Sequence, residues 1–268
     1  MKLWNKLRAR AVDVGRSLGR NLAGEMADSG HAAVYLRQLL RGNRAARDVP
    51  PAPAPSSSRS AAGSRSTATP PSPPKRPVLL IHGYLATRGS LHLLERNLAR
   101  RGHVVMSYKL GPINLGDIRD SAGLIARKVE SIIAQTGVTE VDVVGHSMGG
   151  LVGLYYLKRL GGRHRVRRLV LLGTPARGTW SAILGLFTAP LGLASLQLLP
   201  GSPFLRELAD MPLPEGAEVV SIGAERDWLA PLGSTVLQGV RHIAVATGHS
   251  GLLVEDEVAD VVDGILRQ

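Results

Sequence analysis

The 268-residue chain is long enough for one sizeable core, or for a core with a small appendage. It has no cysteine, which excludes disulfides, thiolate catalysis and cysteine-ligated metals. The net charge of +12 is unevenly spread, with +6 on residues 1–48, +4 on 49–77 and +2 on 78–268, so the basic excess belongs to the leader and no nucleic-acid partner is expected for the main domain.

Residues 1–48 open on a basic amphipathic pattern. Leu3, Leu7, Ala11, Val14, Leu18 and Leu22 recur at helical spacing among Lys2, Lys6, Arg8, Arg10, Arg16 and Arg20. A secretory signal needs an uninterrupted apolar core of about 7–15 residues, and the segment contains none. Two readings stand: peripheral contact with an anionic membrane surface, or a helix packed on the main domain. The expected location is cytoplasmic or peripheral to a membrane. Residues 49–77 hold 9 of the 17 prolines, with Ser, Ala and Thr between them, and read as a disordered linker.

Residues 78–268 form the expected main domain. Apolar runs at 78–81, 104–108, 141–144, 169–172, 219–222 and 242–246 predict short buried strands, and amphipathic stretches at 91–101, 118–135, 148–160 and 256–267 predict helices. This alternation predicts an α/β architecture with a mostly parallel sheet covered on both faces. Ligands of such sheets bind beyond the carboxyl ends of the strands, so reactive residues are sought just after strand ends.

One motif stands out there. The run 141–144 leads into Gly145-His146-Ser147-Met148-Gly149-Gly150 and then into the helix at 148–160, which is G-x-S-x-G between strand and helix. A sharp turn lifts the Ser147 hydroxyl clear of the sheet, and the glycines at 145 and 149 allow the close backbone approach this requires. The turn also sets the Met148 N–H at a helix N-terminus, where it can meet a developing oxyanion. The strand at 78–81 ends in His82-Gly83-Tyr84, and the Tyr84 N–H is the candidate second donor. His82 is read as bonded within that loop, and His146 as a structural residue pointing away from Ser147.

A serine hydroxyl needs a base, and the imidazolium that forms needs a carboxylate. After Ser147 the histidines are His164, His242 and His249. His164 sits in a basic turn and His242 early in the last strand, whereas His249 follows that strand, before the final helix. For the acid, Asp227 in the loop after 219–222 is preferred, with Glu225 as its competitor; Asp210 precedes the strand, and Asp256 and Asp260 fall in the terminal helix.

These residues together resemble the bacterial lipase and esterase families of the α/β-hydrolase superfamily. The resemblance is carried by His82-Gly83-Tyr84, Gly145–Gly150, the stretch Leu172-Gly173-Thr174-Pro175-Ala176-Arg177-Gly178-Thr179, Asp227-Trp228-Leu229-Ala230-Pro231 and Gly248-His249, and it spans 78–268. It implies an α/β-hydrolase fold and a serine hydrolase that cleaves carboxylic esters, lipid or acyl esters in particular, through an acyl-enzyme on Ser147. Asp227 and His249 would complete the triad, and Tyr84 and Met148 would form the oxyanion hole. No cofactor and no metal is expected. The domain starts at the strand that usually comes third, which implies a compact sheet of about six strands. The missing signal pattern departs from secreted relatives.

Residues 178–205 carry no charge across 28 positions. The length would suffice for a membrane span, but the segment joins two strands of one sheet, which argues against a crossing. A cap over the site, at about 178–213, is expected; a helix pair packed into the core is the alternative. Two further readings use the same residues differently: an acyltransferase or thioesterase with the same triad, or a non-catalytic membrane-associated binding module.

Overall fold

Six strands pair in parallel along their whole set: β1 (Pro77–Ile81), β2 (Val104–Ser107), β3 (Val141–His146), β4 (Val166–Leu172), β5 (Glu218–Ala224) and β6 (Arg241–Val245), in the spatial order β2-β1-β3-β4-β5-β6. The computed structural model describes residues 29–42, 75–110, 114–183 and 192–268. The basic pattern read at residues 3–22 and most of the proline-rich stretch lie outside the described residues, as does the middle of the apolar insertion.

Alternation along each strand builds two cores, because successive side chains leave opposite faces of the sheet. Leu79, Ile81, Val141, Val143, Leu169 and Leu171 face one side, where α3 (Ile118–Thr136), α4 (Met148–Arg159) and α6 (Pro203–Asp210) cover them. Val78, Leu80, Val144, Val170, Leu172 and Ile222 face the other, under α2 (His92–Arg100), α7 (Gly251–Val254) and α8 (Asp256–Leu266). The long apolar periodicity of α3 explains its length. Asp117 caps its start by accepting from Arg119 N, and Gly137 ends it in the left-handed region at φ 73.

Among the described residues, two short helices come from the apolar insertion. In α5 (Leu193–Gln197), Ala194 is buried while Leu193 and Leu196 are exposed; in α6, Phe204, Leu205 and Leu208 are all core. Gln197 ties α5 to the start of α3, accepting from Ile118 N at 2.9 Å and donating to Asp117 Oδ1 at 2.7 Å. The described part of the insertion is therefore bound into the domain along one face.

An N-terminal helix, α1 (Ser29–Leu39), also belongs to the packed body. Its Tyr35 lies against the core shared by α2, α7 and α8, and burial raises the phenol pKa to about 12. Among the described residues no helix is long and apolar enough to cross a membrane.

The strand order places the chemistry. After β1 the chain steps outward to β2, then returns past β1 to lay β3 on its other side. That reversal opens a crevice at the carboxyl ends of β1 and β3, and loops 82–85 and 145–149 leave from those two ends. Shortening Leu171, fully buried at the centre of β4, to alanine is expected to cost about 2–5 kcal/mol in urea unfolding; a cost below about 1 kcal/mol would contradict its place in the core.

Candidate active site

Ser147 sits between β3 and α4 with φ 53 and ψ −127. Among the described residues only Leu85 and Ser147 are non-glycine with positive φ, and both stand at the crevice between β1 and β3. Backbone held there costs on the order of 1–3 kcal/mol and persists only where the surroundings over-determine it. Here Ser147 N donates to Leu172 O at 2.7 Å and Gly150 N to Ser147 O at 3.0 Å. The flanking glycines are steric necessities. A Cβ on Gly145 would lie 2.5 Å from Gly150 Cα, and one on Gly149 would lie 2.3 Å from Ile81 O.

The loop after β1 passes directly against this turn. A Cβ on Gly83 would fall 2.9 Å from Ser147 Cβ, so Gly83 marks the contact between the two loops. Tyr84 is half-buried against the core, and Met148, fully buried, is the first residue of α4. His82 turns inward at zero exposure: its Nδ1 donates to Gly83 O at 3.2 Å and its Nε2 accepts from Leu110 N at 3.4 Å. Burial lowers its pKa to about 4, so the ring is neutral.

Asp227 and His249 are brought together from the loops after β5 and β6. His249 Nδ1 donates to Asp227 Oδ2 at 2.6 Å, with both residues buried. The other carboxylate oxygen, Oδ1, accepts from Ala230 N at 2.7 Å, which fixes the plane of the group. Glu225 is exposed; its backbone N–H donates to Val245 O, tying β5 to β6, and its side chain faces solvent. His242 Nε2 meets Thr235 Oγ1 at 2.8 Å, and His164 lies in a short 3-10 turn beside Arg163, both apart from this pair. Asp256 and Asp260 form ion pairs with Arg100 and Arg101 on the surface.

Two residues were not foreseen as neighbours of the Asp227–His249 pair. His146 leaves the serine, but its ring lies 4.5 Å from that of His249, and its Nε2 donates to His249 O at 3.3 Å. Alternation along β3 explains this: His146 shares the face of Val144, which is the face that α7 and the preceding loop cover. Burial first, and the neighbouring His249 second, push its pKa well below the ordinary value. Gly173, just after β4, has φ 55; a Cβ there would meet Leu252 at 2.7 Å, His249 Nδ1 at 3.2 Å and Asp227 Oδ2 at 3.3 Å. Its role depends on two distant segments, so no local pattern announces it.

A cavity of about 570 Å³ opens elsewhere, on the α4 side, lined among others by Leu154, Lys158, Arg177, Met211 and Leu237. None of Ser147, Asp227 and His249 lines it. Lys158 is partly engaged already, donating to Leu208 O at 2.9 Å and Met211 O at 2.7 Å, where it caps the end of α6. Among the described residues no three His, Asp or Glu side chains are grouped to hold a metal ion.

The topology and the strained serine turn define the chain as an α/β-hydrolase fold, with a six-stranded, all-parallel sheet and flanking helices. A family model for the alpha/beta hydrolase fold matches residues 76–188. Among solved structures, the chain is similar to lipase BlEst2 of Bacillus licheniformis in its mature form, with TM-score 0.62 and 19% identity over 73% of this chain and 94% of that one. It is similar to lipase B of Aspergillus fumigatus, with TM-score 0.60 and 18% identity over 72% of this chain, and it spans only 53% of that protein's length. A lipase-esterase related protein from Clostridium acetobutylicum matches with TM-score 0.52 and 17% identity over 70% of this chain and 93% of that one. At these identities the likeness is one of fold.

The buried histidines give a pH signature. His82 has a folded pKa of about 4, below the ordinary 6.5, so between these values the unfolded chain binds the proton and the folded one does not. Its contribution is complete above pH 6.5 and is lost as pH falls toward 4, on the order of 3 kcal/mol in total. His146 acts with the same sign. Urea unfolding from pH 7 to pH 4 is expected to show stability falling steadily through this window; a flat profile would contradict the burial of both rings.

Proposed function

We propose that the chain is a serine hydrolase that cleaves carboxylic esters through an acyl-enzyme on Ser147. The observation that carries the reading is the buried 2.6 Å contact of His249 Nδ1 with Asp227 Oδ2, at the same end of the sheet as the strained Ser147 turn. Asp227 holds Nδ1 protonated, which leaves Nε2 as the base. Ser147 Oγ attacks the ester carbonyl as His249 Nε2 takes its proton. The oxyanion is met by the N–H groups of Met148 and Tyr84. The alcohol leaves with the proton from Nε2, and water, activated by the same nitrogen, releases the acid and restores Ser147.

Lipid or acyl esters are the proposed substrates. Support comes from exposed apolar side chains on segments that flank the crevice or derive from the insertion: Leu85, Trp180, Ile183, Leu193 and Leu196. Large apolar side chains left in water favour an apolar acyl group over a small polar one.

The test is hydrolysis of p-nitrophenyl esters from acetate to palmitate. Wild type is expected to turn them over with kcat/KM rising toward longer chains, and Ser147→Ala to abolish the activity. Rates confined to acetate would remove the lipid substrate and keep the chemistry; turnover that survives Ser147→Ala would contradict the reading. With the best of these esters, Asp227→Asn is expected to lower kcat by roughly 10³–10⁴-fold, and Gly173→Ala, which crowds the same pair, by about 10²-fold. Unaltered kcat in both variants would show that the Asp227–His249 contact has no part in turnover.

A further inference from the structure

The helix α1 touches two loops of the site and joins them. Its C-terminal end closes on the turn that follows His82–Leu85. Gly89 N donates to Gly42 O at 3.0 Å, and Thr87 Oγ1 donates to Leu39 O at 3.0 Å. The fit is close: a Cβ on Gly89 would lie 2.3 Å from Gln38 O, 3.0 Å from Gly42 O and 3.1 Å from Arg41 Cβ, all of them atoms of this N-terminal segment. Tyr35 is hydrogen-bonded to the Ser90 side chain in the same turn.

The other end of α1 reaches the loop that carries His249 through Glu255, at the junction of α7 and α8. His31 Nδ1 lies 3.2 Å from Glu255 Oε1, and that oxygen also accepts from Thr247 Oγ1. Thr247 is fully buried, two residues before His249. Its carbonyl accepts from Arg226 N at 3.0 Å, next to Asp227, so one residue links the loop of the acid, the loop of the base and Glu255. Gly251 makes the arrangement possible, since a Cβ there would lie 1.8 Å from Thr247 Oγ1 and 2.8 Å from Glu255 Oε1. Helix α1 also packs along α7, which begins two residues after His249.

We infer that α1 is a clamp across the Tyr84 loop and the His249 loop, and that Glu255 is the positioning residue through which it sets His249. The inference rests on the reading of His249 as the base. Glu255 touches neither substrate nor the reacting atoms. It holds Thr247, which holds the backbone from which His249 projects, and a misplacement of about 1 Å at a reacting group costs on the order of 10²-fold in rate. The N-terminal segment is thereby a working part of the catalytic domain.

The test uses the full chain. Hydrogen exchange at residues 84–91 and 246–254 is compared for wild type, Gly89→Val and Glu255→Ala, together with kcat and KM on a p-nitrophenyl ester. Gly89→Val pushes first on Gln38, Arg41 and Gly42 at the C-terminal end of α1 and is expected to lower protection in both loops and to cut kcat at least tenfold, with KM within twofold. Glu255→Ala is expected to do the same at 246–254, and Glu255→Gln, which keeps an acceptor for Thr247, to recover most of the rate. If Gly89→Val does not fold, His31→Ala reports the same loss in weaker form. Unchanged protection and kcat in Gly89→Val and Glu255→Ala, or Glu255→Gln as impaired as Glu255→Ala, would overturn the inference. Loss of protection in both loops with no Ser147-dependent turnover by wild type would leave the clamp standing and remove the proposed function instead.

Discussion

The arrangement depends on one backbone constraint, the turn at Ser147. A residue with a side chain is held at φ 53 and ψ −127 between a buried strand and a buried helix. The cost is met by what the turn is locked between. Ser147 N is bonded to β4, Gly149 lies against the backbone of β1, and Gly150 lies against Thr174, where a Cβ would come within 1.9 Å of its Oγ1. Larger residues at these glycines would push the helix from the sheet and relax the turn. The strain is thus retained by the packing around it.

The sheet converts that local device into a site. Because every strand is parallel, all six carboxyl ends lie together, and the loops after β1, β3, β4, β5 and β6 converge. Each contributes one element: Gly83 against the serine, Ser147 itself, Gly173 against the Asp–His pair, Asp227, and His249. The loops are also bonded to one another. Glu225 N to Val245 O and Arg226 N to Thr247 O stitch the last two loops residue by residue, and His146 Nε2 ties β3 to the backbone of His249. Positions are therefore set by a rigid sheet and by short bonds between loops, which is how placement within a fraction of an ångström is maintained.

Strands and principal helices were legible because each buries a strongly patterned face. The runs at 78–81, 141–144 and 169–172 have no polar interruption other than Asp142, and α3 shows an apolar residue at each helical return. The spacing of Gly145, Ser147 and Gly149 located the turn for the same reason, since a steric demand fixes both residue type and interval. Contacts between distant segments were not legible. The sequence reading sent His146 away from the site because neighbours in a strand point to opposite faces; it did not foresee that the His249 loop would cover the far face. Gly173 and Gly89 each serve a close approach whose other side is supplied by residues tens of positions away. Helix α1 follows the basic pattern at 3–22 and was not itself anticipated, because its partner surface at Thr87–Ser90 is built by the fold and not by its own periodicity.

Ser147 is proposed as a nucleophile activated by the buried Asp227–His249 pair. The most direct measurement is the rate of covalent modification by a fluorophosphonate probe, with the labelled residue mapped by mass spectrometry of the intact protein and its peptides. A single adduct is expected, on Ser147, that forms far more slowly in Asp227→Asn and is absent in Ser147→Ala. An adduct on another residue, or labelling of Ser147 at the same rate with and without the Asp227 carboxylate, would contradict it.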